Sequence, residues 1–211
     1  MDEGSVRPVS ELAEERKSPS GKIIYGAILS EAQEELERSS RGLFWSGLAA
    51  GLSMGFSAIA MALLRAHLPD ADWTPLVVNF GYSLGFLLVI LGRQQLFTEN
   101  TLTPILPLLR TPSVFTFFNV ARLWIVVLFS NMIGALIIAL VLVKTVALPH
   151  DAHDALLRLA AHAIHFGFGT LLLRGIFAGW LIALIVWLLP FAEAARIWII
   201  IILTYIVSLG Q

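Results

Sequence analysis

The stretch Leu91-Gly-Arg-Gln-Gln-Leu-Phe-Thr-Glu-Asn-Thr-Leu-Thr-Pro-Ile-Leu-Pro107 breaks an otherwise apolar segment, and its reading decides the fold. Before it, Trp73 to Gly92 carries no charged residue; after it, Asn100 to Leu109 is uncharged again. Between them sit Arg93 and Glu99, with glutamines and a threonine, inside what composition marks as a membrane span. Polar, non-helical backbone survives at membrane depth only where protein or a water-filled cavity surrounds it, because lipid satisfies neither amides nor carbonyls. Broken spans of this kind line the pathways of many carriers and channels. The expectation is a transport protein for a small solute, with the break as its site.

Composition places the whole chain in the membrane. Of 211 residues, 57% are apolar and 14% charged, with a mean hydropathy of +0.81; soluble domains carry about 25% charged residues. The absence of cysteine excludes a disulfide framework, a thiolate metal site and a cysteine nucleophile. A net charge of −1 and the lack of a basic, aromatic-interleaved patch argue against a nucleic-acid partner. The first 40 residues are polar, so no cleavable signal peptide is expected and the first apolar span would direct insertion.

Two regions follow: a cytoplasmic tail over 1–41 and a transmembrane domain over 42–211. Asp2 to Ser20 mixes charges, serines and prolines, a composition that usually stays disordered. Ser30 to Arg38 reads as a short polar helix, solvated beside the membrane or acting as a gating lid, with Glu34 and Glu35 in its early turns. Gly42 to Leu64 is long enough for the roughly 20 residues a span needs. Trp73 to Leu109 is the broken second element, Leu123 to Val143 a third span, and Phe168 to Leu189 a fourth containing Arg174. Ile197 to Gly210 is a fifth, short segment, which favours a chain that stops before its last helix is complete.

Lysine and arginine placement orients these spans. With the N-terminus inside, Arg7, Arg16, Lys17, Lys22, Arg38, Arg41, Arg110, Arg122 and Arg196 are cytoplasmic, against Arg65, Lys144 and Arg158 outside. Glycines recur four apart at Gly47, Gly51 and Gly55, at Gly81 and Gly85, and at Gly175 and Gly179. Small residues at this spacing let helix backbones approach closely, within or between subunits.

Three stretches resemble the formate/nitrite transporter family. Gly92 to Asn100 (GRQQLFTEN) is similar to its pore loop, with Leu-Phe-Thr after a glycine; Phe129-Ser-Asn131-Met-Ile-Gly134-Ala-Leu resembles its third helix; Arg174-Gly-Ile-Phe-Ala-Gly-Trp-Leu resembles its fourth. The similarity covers about residues 40 to 211. It implies an all-α, aquaporin-like bundle of six helices with the second and fifth broken, assembled as a homopentamer in the bacterial inner membrane. It also implies conduction of formate, nitrite or related monovalent anions, with no cofactor. Against the family pattern, three residues rather than two separate the loop glycine from Leu-Phe-Thr, and Gly179 stands where a pore asparagine is usual. The family's central histidine would follow Ser208-Leu209-Gly210, where the chain stops at Gln211, so the end of helix five and helix six are expected to be lacking.

By that resemblance Thr98 offers its hydroxyl to a passing solute, Leu96 and Phe97 form an apolar constriction, and Tyr82 and Phe86 narrow the second span. A helix starting near Asn100 would aim its positive dipole end at the pore centre, capped by Thr98 or Asn100. Arg93 and Glu99 either pair to fix the loop, or Arg93 attracts the anion; an arginine at this depth costs about 2.5–3.5 kcal/mol to insert, so it is seldom idle. Arg174 either snorkels to the interface or faces the pore. His150, His153 and Asp154 are metal-capable but fall in a short outer loop, and no metal is expected; His162 and His165 read as interfacial. The partners implied are a small anion or weak-acid solute, the lipid bilayer and further copies of the chain. The competing classes are an intramembrane enzyme, a structural subunit and a channel for a neutral solute. An enzyme would need a base beside its nucleophile, and Ser46, Ser53 and Ser57 have no histidine within the apolar spans.

Overall fold

A computed structural model describes residues 19–163 and 166–210. All regular elements among them are helical. In chain order these are α1 (Gly21–Glu37), α2 (Ser40–His67), α3 (Thr74–Val78), a 3-10 turn (Asn79–Tyr82) and α4 (Ser83–Leu91). After the break come a 3-10 turn (Glu99–Thr101), α5 (Ile105–Arg110), α6 (Val114–Lys144), α7 (His150–Ala163), α8 (Phe168–Leu188), a 3-10 turn (Leu189–Phe191) and α9 (Arg196–Leu209). Four stretches are long and apolar enough to cross a membrane: α2, the run Thr74–Leu91, α6, and Phe168–Phe191. At 14 residues α9 is shorter than a span; at about 1.5 Å per residue it reaches some 21 Å. Tail residues before 19, His165 and Gln211 lie outside the described residues.

The bundle is built on the pairing of α2 with α6. Gly51 and Gly134 face each other there: a side chain on Gly134 would meet the Leu48 carbonyl at 2.5 Å, and one on Gly51 the backbone of Asn131. The glycine ladder of the first span is therefore spent inside the chain, which removes it as support for contact between subunits. Gly81 and Gly85 are likewise pressed against α2, at Met61 and at Met54 and Ser57. Gly175 and Gly179, with the same spacing, have nothing within 4 Å.

The second span bends before it breaks. Pro75 lies in the first turn of α3, and the chain tightens into the 3-10 turn where Gly81 approaches α2. Ser57 bridges that bend: its hydroxyl donates to the Tyr82 carbonyl (2.5 Å) and accepts from the Gly85 amide (2.9 Å). On the opposite flank α9 packs against α4, with Thr204 donating to Ser83 (2.8 Å) and Ser208 to Asn79 (2.6 Å). These bonds satisfy hydroxyls that lipid would leave unpaired.

Three local expectations are corrected. The tail helix is not a short polar one over 30–38: it runs Gly21–Glu37 and buries Ile28, Leu29, Ala32 and Leu36. This stripe has helical period, so α1 docks rather than floating in solvent. The helix after the break begins at Ile105, not near Asn100, with Pro104 preceding it. Pro104 has no amide hydrogen to return to the Asn100 carbonyl, so a helix begun at Asn100 would lose a bond there, and Trp124 takes that carbonyl instead. Finally, His150 and His153 lie on α7, not in a loop, each facing Asp154 (3.4 and 3.9 Å).

Candidate transport site at the break

α4 ends in a Schellman turn. The Arg93 amide donates to Ile90 (3.2 Å) and the Gln94 amide to Val89 (3.0 Å), satisfying carbonyls the helix end leaves free. That geometry needs one residue in the left-handed region. Arg93 occupies it, at φ 49°, while Gly92 keeps an ordinary helical φ of −78°. Arg93 thus sits where glycine is the usual choice.

Beyond the turn the loop is tied down at Gln95, all of whose polar groups are used. Its amide donates to Ser46 Oγ (3.1 Å) and its carbonyl accepts from Asn131 Nδ2 (2.9 Å). Its side-chain Nε2 donates to Glu35 Oε1 (3.0 Å), and its Oε1 accepts from Asn100 Nδ2 (2.7 Å). Asn131 continues the set: Nδ2 also donates to the Gly47 carbonyl (2.7 Å), and Oδ1 accepts the Phe97 amide (2.8 Å). Trp124 Nε1 donates to the Asn100 carbonyl (2.7 Å). Protein thus supplies the partners that lipid lacks, which is the condition for irregular backbone at this depth.

α1 belongs to the same assembly. The second oxygen of Glu35 accepts from Thr103 Oγ1 (3.1 Å). Arg122 of α6 holds the end of α1, donating to the Leu36 carbonyl (2.7 Å) and the Arg38 carbonyl (2.9 Å). Burial pushes the Glu35 carboxyl above its ordinary value; the Gln95 and Thr103 hydrogen bonds oppose this, Glu31 adds to it and Arg38 opposes it.

The expected pathway residues divide. Phe86 and Leu96 are buried together with Ala50, Val89, Ile182, Ile185 and Ile200, and Tyr82 packs against that cluster, its ring 5.4 Å from Phe86. Phe97 turns the other way, towards Leu36, Leu43, Val120, Leu123 and Val127, with its ring edge-on to Trp124 at 6.4 Å. Leu96 and Phe97 therefore do not share one apolar collar. Thr98 is exposed and caps nothing through its side chain, and the Asn100 amide is spent on Gln95.

Among the described residues Arg93 and Glu99 form no ion pair, so of the two alternatives for Arg93 the pairing is not the one adopted. Both line a polar vestibule of about 400 Å³ beneath the break. Glu31, Glu34 and Glu35 of α1, with Arg38 just after it, wall it on one side; Gln94, Gln95, Asn100 and Thr103 belong to the loop, and Arg196 opens α9. No ion pair joins any two of these charged groups among the described residues. Arg174 and Gly179 are not brought to the break. Arg174 stacks on Phe166 (3.9 Å) beside an apolar groove of about 810 Å³ between α8 and α9, and Gly179 has open space at its α-carbon.

Reading the sequence missed Glu35, Ser46, Trp124 and Arg196 as parts of this site and gave Asn131 no task. Glu35 carried a signal: it falls on the helical stripe of Ile28, Leu29, Ala32 and Leu36, where a carboxylate is out of place unless something bonds it.

Comparison with known proteins agrees with this architecture. The inner membrane protein YfdC of Escherichia coli (strain K12) is 36% identical over 201 residues, covering 95% of this chain and 65% of that protein. The formate channel FocA of Haemophilus influenzae is 29% identical over 150 residues, covering 69% of this chain and 52% of its own length. The chain thus spans between half and two thirds of these relatives. A pentameric formate channel solved with formate bound superposes with a TM-score of 0.67 at 19% identity, over 91% of this chain and 71% of the channel, and so shares the fold. The formate/nitrite transporter model matches residues 22–211, a range that takes in α1 as well as the spans, and the chain belongs to that family.

Proposed function

We propose that this chain forms the pathway of a transmembrane channel or transporter for a small monovalent anion or its neutral acid, of formate or nitrite kind. It sits in the bacterial inner membrane with its N-terminus cytoplasmic and works as a homopentamer. The observation that carries the reading is the break itself: an irregular loop at membrane depth, fastened by Asn131, Ser46 and Gln95 and opening on a charged vestibule. A merely structural span gains nothing from such a loop, which costs regular backbone bonding and must be compensated residue by residue. The family relation, and the formate named for relatives of this fold, support the solute class. The oligomer draws support from the pentameric neighbour and from the outward apolar faces of α6 and α8.

An anion leaving water for an apolar passage loses far more hydration than one hydrogen bond returns. With the helix start displaced to Ile105, the positive charge nearest the break is Arg93, joined in the vestibule by Arg38 and Arg196. Passage as the neutral acid avoids most of the cost and suits the apolar cluster of Leu96, Phe86 and Tyr82. Formate uptake into proteoliposomes holding the full-length protein tests the reading. Thr98→Val, which removes an exposed hydroxyl and keeps the shape, is expected to lower uptake at equal protein level and unchanged assembly. Wild-type uptake in that variant would place the pathway elsewhere.

A further inference from the structure

We propose that Glu35 is a positioning residue for the solute pathway, and that α1 is a fixed wall of that pathway and not a removable cover. The inference rests on the break being the conduction path.

Glu35 binds the loop on both sides of its centre. One carboxylate oxygen takes Gln95, immediately before Leu96, and the other takes Thr103, after the 3-10 turn. The two donors meet separate oxygens, Oε1 and Oε2, and an amide in the same place would turn its NH2 group towards one of them. The staple fixes Gln95, and Gln95 in turn holds Asn100. Leu96 and Phe97 lie within this closed ring of bonds and point into different clusters. A shift of Gln95 therefore turns both side chains at once, and with them the width and polarity of the passage.

α1 is not free to leave. Arg122 grips its last carbonyls, and Ile28, Leu29, Ala32 and Leu36 are buried against the bundle. Burying a carboxyl beside Glu31 and Glu99 is unfavourable in itself, so its place is explained by what it holds rather than by the stability it adds.

The test compares formate and acetate uptake by the full-length protein in proteoliposomes, for wild type, Glu35→Ala, Glu35→Gln and Glu37→Ala, with amide exchange of residues 95–97 measured in each. Glu35→Ala is expected to change the formate-to-acetate ratio severalfold and to speed exchange at 95–97 about tenfold, the effect of losing charge-assisted hydrogen bonds to the loop. Glu35→Gln keeps one acceptor and should fall between; Glu37→Ala, exposed and outside the vestibule, should match wild type. A merely structural role would lower both uptakes in proportion and leave their ratio unmoved, which overturns the proposal. If Glu35→Ala does not assemble, Glu35→Gln decides: exchange at 95–97 equal to wild type overturns it, faster exchange supports it. Absence of uptake of either acid by wild type would sink the transport reading instead, while the exchange measurement still judges whether Glu35 holds the loop.

Discussion

Two glycine ladders with the same four-residue spacing meet opposite fates. Gly47, Gly51 and Gly55 are closed against α6, with no room for even a methyl group, whereas Gly175 and Gly179 on α8 face open space. Spacing alone specifies that a helix face is smooth; it does not specify what lies on it. The break repeats the contrast at neighbouring positions. Gln95 has spent its amide, its carbonyl and both ends of its side chain, while Arg93, two residues earlier, has no side-chain partner among the described residues. What is closed holds the fold, and what is open is available to a neighbouring subunit or a solute.

The contrast is broken most forcefully at Gly51. Gly51→Val forces a branched side chain into the backbone of Asn131, and a loss of about 3 kcal/mol or more is expected from overpacking. Thermal unfolding in mild detergent should show a much lowered midpoint or no folded protein.

A smaller effect belongs to Glu35. Its carboxyl binds a proton more tightly with α1 docked than free, because burial raises it above the ordinary value of 4.5. Acid therefore favours docking: the contribution is complete below 4.5 and is lost as pH rises through the raised value. Amide protection across α1, followed against pH, should fall with rising pH, and Glu35→Gln should flatten the profile.

Arg93 and Glu99 sharpen the contrast from the open side. Since no ion pair joins them, Arg93→Gln and Glu99→Gln should act independently on stability, with a coupling below about 0.5 kcal/mol in a double-mutant cycle. Strong mutual relief would mean the pair forms after all. Smallest of all is Gly179→Ala, expected to shift the unfolding midpoint by no more than about 0.5 kcal/mol allows, because its added methyl meets nothing. A drop comparable to that of Gly51→Val would erase the distinction between the two ladders.

Spans were legible because uncharged runs of 20 residues have few other uses in a chain of this composition. The break was legible for the same reason: Arg93 and Glu99 interrupt such a run. Its internal geometry was not. The helix start slid from near Asn100 to Ile105 because Pro104 has no amide hydrogen for the Asn100 carbonyl. The ties at Gln95 reach Ser46, Asn131 and Glu35, residues 36 to 60 positions away, and no local pattern encodes which distant polar side chain will meet which backbone group. Arg93 in the left-handed region had no local signal, because that conformation is set by the two closing bonds of the turn and not by a preference of arginine.

The reach of α1 has a consequence for the order of assembly. Arg122 meets the end of α1 at a separation of 84 to 86 positions, and Glu35 meets Thr103 at 68. The first helix among the described residues is thus among the last to be seated, since its anchor does not exist until α6 has been made. Until then the Gln95 carbonyl lacks Asn131 and the Asn100 carbonyl lacks Trp124, both of which α6 supplies. Closure of such long loops is slow compared with helix formation. Removing the Arg122 anchor, as in Arg122→Ala, should therefore slow the seating of α1, read as late protection of its amides during membrane maturation.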